Sequence, residues 1–163
     1  MKNTATKTFL FTLLVVAFTL FSGCKKACKS LGENVTSGEI KTDVAVYPES
    51  GYMTSSMTQS QYLITGSSNY ANRFKISFDN GETKQSVNYG QYSILCYPVT
   101  TSCFAQFDRN VKIDDANGIV KYTIKVKECG KCTSERTTEN YVLIRAVPDT
   151  YQVVYDVDIE HID

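Results

Sequence analysis

Between Val120 and Val126 apolar and polar residues alternate without a fault: Val120, Tyr122, Ile124 and Val126 against Lys121, Thr123 and Lys125, with Lys127 extending the polar row. A period of two sends the two sets to opposite faces of a strand, whereas a helix repeats every 3.6 residues. The segment Tyr151–His161 follows the same rule. Tyr151, Val153, Tyr155, Val157 and Ile159 face inward, and Gln152, Asp156, Asp158 and Glu160 face outward. One strand therefore offers a basic outer row and the other an acidic one. Either antiparallel pairing sets them side by side, at roughly 0.2–1 kcal/mol per opposite-charge pair, or they are two solvated faces that never touch. From Ile40 onward no window of eleven residues keeps a helical stripe free of Gly, Pro or polar breaks, so the chain reads as all-β.

Further strands are expected over Ile40–Tyr47, Gln61–Thr65, Arg73–Asp79, Thr83–Tyr89, Tyr92–Tyr97, Phe104–Asp108 and Tyr141–Val147. Asn80-Gly81 and Asn117-Gly118 separate β-like runs, and Asn-Gly supplies the two positive φ values of a type I′ hairpin turn. Nine or ten short strands at near-regular spacing predict an antiparallel β-sandwich, immunoglobulin-like only in the broad sense, with a small closed β-barrel as the alternative. The chain has no Trp, so the Cys, Trp, Cys frame of a true immunoglobulin domain is missing.

The N-terminus specifies an address. Lys2 and Lys7 precede thirteen mostly apolar residues, Phe9–Phe21, and small residues follow. Thirteen residues in a helix reach about 20 Å against a hydrocarbon core of roughly 30 Å, which favours a secretory signal over a spanning anchor. Leu20-Phe21-Ser22-Gly23-Cys24 resembles the lipobox of bacterial lipoproteins, with Ser22 and Gly23 at the small positions, Cys24 at the invariant one and Phe21 where Leu is usual. The resemblance covers the targeting segment alone. It implies cleavage before Cys24, a lipid on Cys24, and attachment to a membrane of the cell envelope, the outer rather than the inner, facing the periplasm or the surface. The expected organisation is a signal peptide over 1–23, a membrane-proximal tether over 24–39 and a β-domain over 40–163. Lys25, Lys26 and Lys29 lie beside the anchor, either as a solvated tether or as a weak attraction to anionic head groups.

Four of the six cysteines fall within the domain as Cys96-x6-Cys103 and Cys129-x2-Cys132. An exported chain meets an oxidising compartment, which favours disulfides, and four cysteines allow three connectivities. The ends of a β-turn lie under about 7 Å apart, so Cys129 can reach Cys132. Pairing Cys96 with Cys103 would close a short loop, for about 2.5 kcal/mol in the chain-entropy picture. Cys28 is left over. Two chemical readings compete with structural bridges. A redox-active C-x-x-C needs a helix start to stabilise the thiolate, and Thr133–Asn140 has no amphipathic stripe. A four-cysteine zinc site needs spacers of two to four residues, and the first pair has six.

The 17 basic and 17 acidic side chains exclude a polyelectrolyte role, and removing residues 1–23 leaves two acids in excess, so no nucleic-acid partner is expected. His161 is the sole His and is the third residue from the end, a poor base for a Ser-His-Asp or Cys-His site. Asp108, Asn110, Asp114, Asp115 and Asn117 gather oxygens without the Gly and Glu spacing of an EF-hand. There is no phosphate-loop motif, and neither metal nor cofactor is expected. Eleven Tyr remain to be placed. Tyr52 and Tyr70, in polar Ser-rich segments, are the candidates for an exposed binding surface. The expected function is non-catalytic binding of a protein or envelope component, with a thiol-disulfide enzyme at Cys129 and Cys132, or a structural part of an envelope assembly, as alternatives.

Overall fold

The computed structural model describes Cys28 and residues 31–49, 62–101, 104–130 and 135–162. Residues 1–23, expected to be a signal peptide, and Cys24, Tyr52, Cys103 and Cys132 lie outside the described residues. Among the described residues ten strands run in chain order: β1 (Val35–Gly38), β2 (Ala45–Pro48), β3 (Tyr62–Ile64), β4 (Phe74–Ser77), β5 (Gln85–Ser86), β6 (Tyr92–Thr101), β7 (Phe104–Asp114), β8 (Ile119–Cys129), β9 (Arg136–Arg145) and β10 (Gln152–Ile162). They form three sheets, ordered β1-β7-β8-β10, β2-β4-β5 and β3-β6-β9, and none closes into a barrel. The fold is an all-β sandwich.

The β3-β6-β9 sheet is the middle layer, and its sequence explains why. Leu95 and Val99 of β6, with Val142 and Ile144 of β9, pack against Val111, Val120, Tyr122 and Ile124 of the four-stranded sheet. From the opposite face, Ile94 and Leu143 pack with Ile64, Phe74, Ile76 and Val87. A strand covered on both faces loses its alternation, so Ser93–Cys96 and Val142–Ile144 are continuous buried runs. In β8, with one wet face, Val120, Tyr122, Ile124 and Val126 are buried while Lys121, Lys125 and Lys127 are exposed.

Three expectations need correction. First, β10 pairs with β8 in parallel, not antiparallel, with Tyr155 opposite Tyr122 and Asp158 opposite Lys125. The chain leaves β8, crosses to the middle sheet as β9 and returns as β10, so two reversals restore the original direction. Second, the folded unit begins before Ile40. β1 lies within the expected tether and pairs in parallel with β7. Gln106 fastens the segment before it, accepting from Gly32 N–H at 3.1 Å and donating to the Glu33 carbonyl at 2.9 Å. All four β1 residues are exposed, so no apolar rhythm announces this strand. Third, only one Asn-Gly pair takes two positive φ values: Asn80 has φ 56° and Gly81 has φ 96°, whereas at the other site only Gly118 does, at 63°. The β7–β8 hairpin closes from Asp114 to Ile119 over a four-residue loop, held by Asn117 donating from its backbone N–H and side-chain amide to Asp114.

Candidate functional site

The outer face of the four-stranded sheet gathers the exposed charge of β7, β8 and β10 into columns. Along β8 stand Lys121, Lys125 and Lys127, and along β10 stand Asp156, Asp158 and Glu160. On the other side of β8, Gln106, Asp108 and Lys112 of β7 lie opposite Lys127, Lys125 and Lys121. Asp158 and Glu160 lie opposite Lys125 and Lys127. Both columns come from the same alternation that buries the other half of each strand, so one core-forming pattern also builds the charged surface. Among the described residues, one ion pair closes within this lattice: Lys121 Nζ to Asp156 Oδ2 at 2.7 Å, with both side chains about half exposed. Lys112 and Lys121 are direct cross-strand neighbours, a like-charge placement that costs stability. Two shallow cavities of about 340 Å3 each open on this face and share Asp108 and Lys125. Ser37, Asn110 and Thr123 line the first, and Gln106, Lys127, Asp158 and Glu160 the second.

A second polar feature is turned inward. On β7 the core-facing row reads Ala105, Phe107, Arg109, Val111, Ile113, and Arg109 enters the space between the four-stranded and middle sheets. Its Nε donates to Asn140 Oδ1 at 2.9 Å. Asn140 is buried, and its Nδ2 donates to the Tyr97 and Thr138 carbonyls, which fixes the amide with its oxygen toward the guanidinium. Tyr122 Oη donates to the Asn140 carbonyl at 3.2 Å. Burial lowers the Arg109 pKa, and the neighbouring Tyr122 hydroxyl partly opposes the shift. Burial likewise raises Tyr122 well above the ordinary phenol range, with the Arg109 charge partly opposing it.

The cysteines do not meet as expected. Cys129 is bonded to Cys28, with Cα atoms 5.5 Å apart and a sequence separation of 101. The turn pairing of Cys129 with Cys132 is therefore not the one made, and Cys28 is not left over. This bond takes the Cys129 sulfur out of a C-x-x-C redox pair and out of a four-cysteine zinc set. The segment before β1 is held against β7, and Cys129 is the register partner of Phe104 at the start of β7, so a distant cysteine reaches where a turn was expected. Cys96 is a free buried thiol whose pKa burial pushes up to about 12, far from a reactive thiolate.

Tyr70 is half-buried and packs against the Phe74 and Ile76 cluster. The one-turn 3-10 helix Ala71–Arg73 that follows it delivers the chain into β4 and carries the ring to the core edge rather than into solvent. His161 Nδ1 sits 3.4 Å from Glu128 Oε1 on the outer strand pair. Asp114 and Asp115 are spent on local structure: Asp115 accepts from Arg145 Nη2 at 2.7 and 2.6 Å and from Tyr151 Oη at 3.0 Å, which lowers its pKa. Arg109 and Asn140 were missed by sequence reasoning, although an arginine in an otherwise apolar row was the signal that could have found them. Comparison with protein-family models, with curated proteins and with solved structures gives no match.

Proposed function

We propose that the chain is a lipid-anchored domain of the cell envelope that binds a protein partner without catalysing a reaction, through the outer face of β1-β7-β8-β10. The charge pattern of that face carries the reading. A uniform polyanion drawn to Lys121, Lys125 and Lys127 would meet Asp156, Asp158 and Glu160 one strand away, at about 4.8 Å. A protein surface presenting both signs in complementary rows satisfies both columns, and such patterns set register and partner choice. Two observations support the envelope address: the lipobox-like Leu20–Cys24 segment, and a disulfide between Cys28 and Cys129, which needs an oxidising compartment to persist. Tyr52 remains a candidate contact in the proposal, and Tyr70 contributes as packing.

The test places a photo-crosslinking residue at Thr123, between the columns, in cells carrying the full chain. The expected result is one discrete protein adduct that weakens at least tenfold when Lys125 and Lys127 are both changed to Glu. An adduct indifferent to that reversal, or none, overturns the surface. The anchor is tested separately: Cys24→Ala should leave the chain unprocessed or released from membranes, and normally processed membrane-bound protein would refute lipid attachment.

A further inference from the structure

At the end of the sandwich where β6 finishes and β7 and β9 begin, a cavity of about 270 Å3 opens between the sheets. Arg109 and Arg136 both line it, with Asn34, Thr101, Thr138 and the ring of Phe104. Every polar side chain in this lining can donate a hydrogen bond, and no carboxylate belongs to it. Asn34 spends its Oδ1 on Phe107 N–H at 2.8 Å, so what it still offers is its Nδ2 donors. Among the described residues neither guanidinium has a carboxylate within ion-pair distance.

Arg109 is the informative member. A half-buried cation has given up much of its hydration, and a neutral amide oxygen is the acceptor placed against its Nε. Its orientation is fixed from behind, because Asn140 is itself locked by two backbone carbonyls. Guanidinium has five N–H donors, more than Asn140 and Tyr122 can take up, and its planar fork matches oxyanions. Arg136, in register with Thr101 across the sheet, brings a second positive charge to the same opening. Phe104, 67% exposed, puts an aromatic ring at its rim.

We propose that this cleft is an oxyanion-binding site for a phosphate monoester, with Arg109 as the fixed inner ligand and Arg136 as the outer one. The charge count selects the ligand: two guanidiniums with no acidic partner among the described residues match the −1.5 to −2 charge of a phosphate monoester near neutral pH, roughly, better than the single charge of a carboxylate. Phe104 would cover the apolar group esterified to it. The site is separate from the outer sheet face and stands whether or not that face binds a protein.

Inorganic phosphate is the first probe, titrated into the full chain at neutral pH and constant ionic strength, with the Arg Nε–Hε resonances of the protein as readout. The Arg109 resonance should move saturably with phosphate and at least tenfold more weakly with acetate. Arg136→Gln should weaken phosphate binding at least tenfold while leaving the melting temperature without phosphate unchanged, because residue 136 is exposed at a strand end. Lys112→Gln, on the outer face, should leave the affinity unchanged. No saturable shift at about 10 mM, ten times a millimolar Kd, overturns the site. So does a shift indifferent to Arg136→Gln, or acetate binding as tightly as phosphate. The source of the phosphate is read with the full chain in phosphatidylcholine nanodiscs. An Arg109 resonance already shifted by added phosphatidic acid identifies a lipid head group, and one that moves only with soluble phosphate identifies a soluble ester.

Discussion

Two tyrosines one strand apart show how a hydroxyl can carry opposite signs of stability. Tyr122 and Tyr155 are register partners whose ring centroids lie 6.0 Å apart, and burial raises the pKa of both. Tyr122 Oη donates to the Asn140 carbonyl, whereas the buried Tyr155 Oη has no hydrogen-bond partner among the described residues. A buried hydrogen bond contributes about 0.5–1.5 kcal/mol net, while an unsatisfied buried polar atom costs about 1–3 kcal/mol. Tyr122→Phe should therefore lower unfolding stability by about 1 kcal/mol and Tyr155→Phe should leave it unchanged or raise it. Urea denaturation at fixed pH checks both, with equal m-values expected because neither change alters the surface exposed on unfolding. The pair was only half legible beforehand. Alternation placed both rings inward, but which hydroxyl finds a carbonyl depends on Asn140 of the other sheet, and no local pattern reports that.

At the scale of elements, legibility followed the number of wet faces. β8 has one wet and one dry face and β10 an exposed and a partly buried one, and their alternation marked both strands, although Ile159, read as inward, is 45% exposed near the end of β10. β6 and β9, dry on both faces along much of their length, appeared as apolar runs with the end of one and the start of the other missed, because Val99–Thr101 is mostly polar and Arg136–Asn140 wholly so. β1 has no dry face and was invisible. Direction could not be read at all, since the alternation of β10 is the same whether the strand runs up or down. The parallel ladder still brings the basic and acidic columns together, and its Lys121–Asp156 pair is half exposed. Exposed ion pairs contribute about 0.2–1 kcal/mol because water screens them and both side chains lose freedom. A double-mutant cycle with Lys121→Ala and Asp156→Ala should return a coupling below about 1 kcal/mol that shrinks at high salt. A coupling of several kcal/mol would mean that the column is structural rather than a solvated surface available to a partner.

At the scale of the whole molecule, the sandwich is closed by a covalent tie that local geometry could not reveal. A turn made Cys129 and Cys132 plausible partners, but closing a four-residue loop would stabilise by only about 2 kcal/mol in the chain-entropy model. The bond actually formed, Cys28 to Cys129, spans a sequence separation of 101. The same model assigns about 4.7 kcal/mol to a 100-residue loop, reduced where the denatured chain keeps structure or the bond distorts the native state. It also holds the segment before β1 at the end of β8, beside the Arg109 cleft, since Cys129 lies opposite Phe104 in register. Cys28→Ser should therefore cost about 2–5 kcal/mol in urea denaturation, whereas Cys132→Ser should cost well under 1 kcal/mol if the sulfur of Cys129 is already committed. Non-reducing peptide mapping should recover residues 28 and 129 in one linked fragment. The reverse ranking, with Cys132→Ser the costly change and a fragment linking 129 to 132, would restore the local turn and release the N-terminal segment from the sandwich.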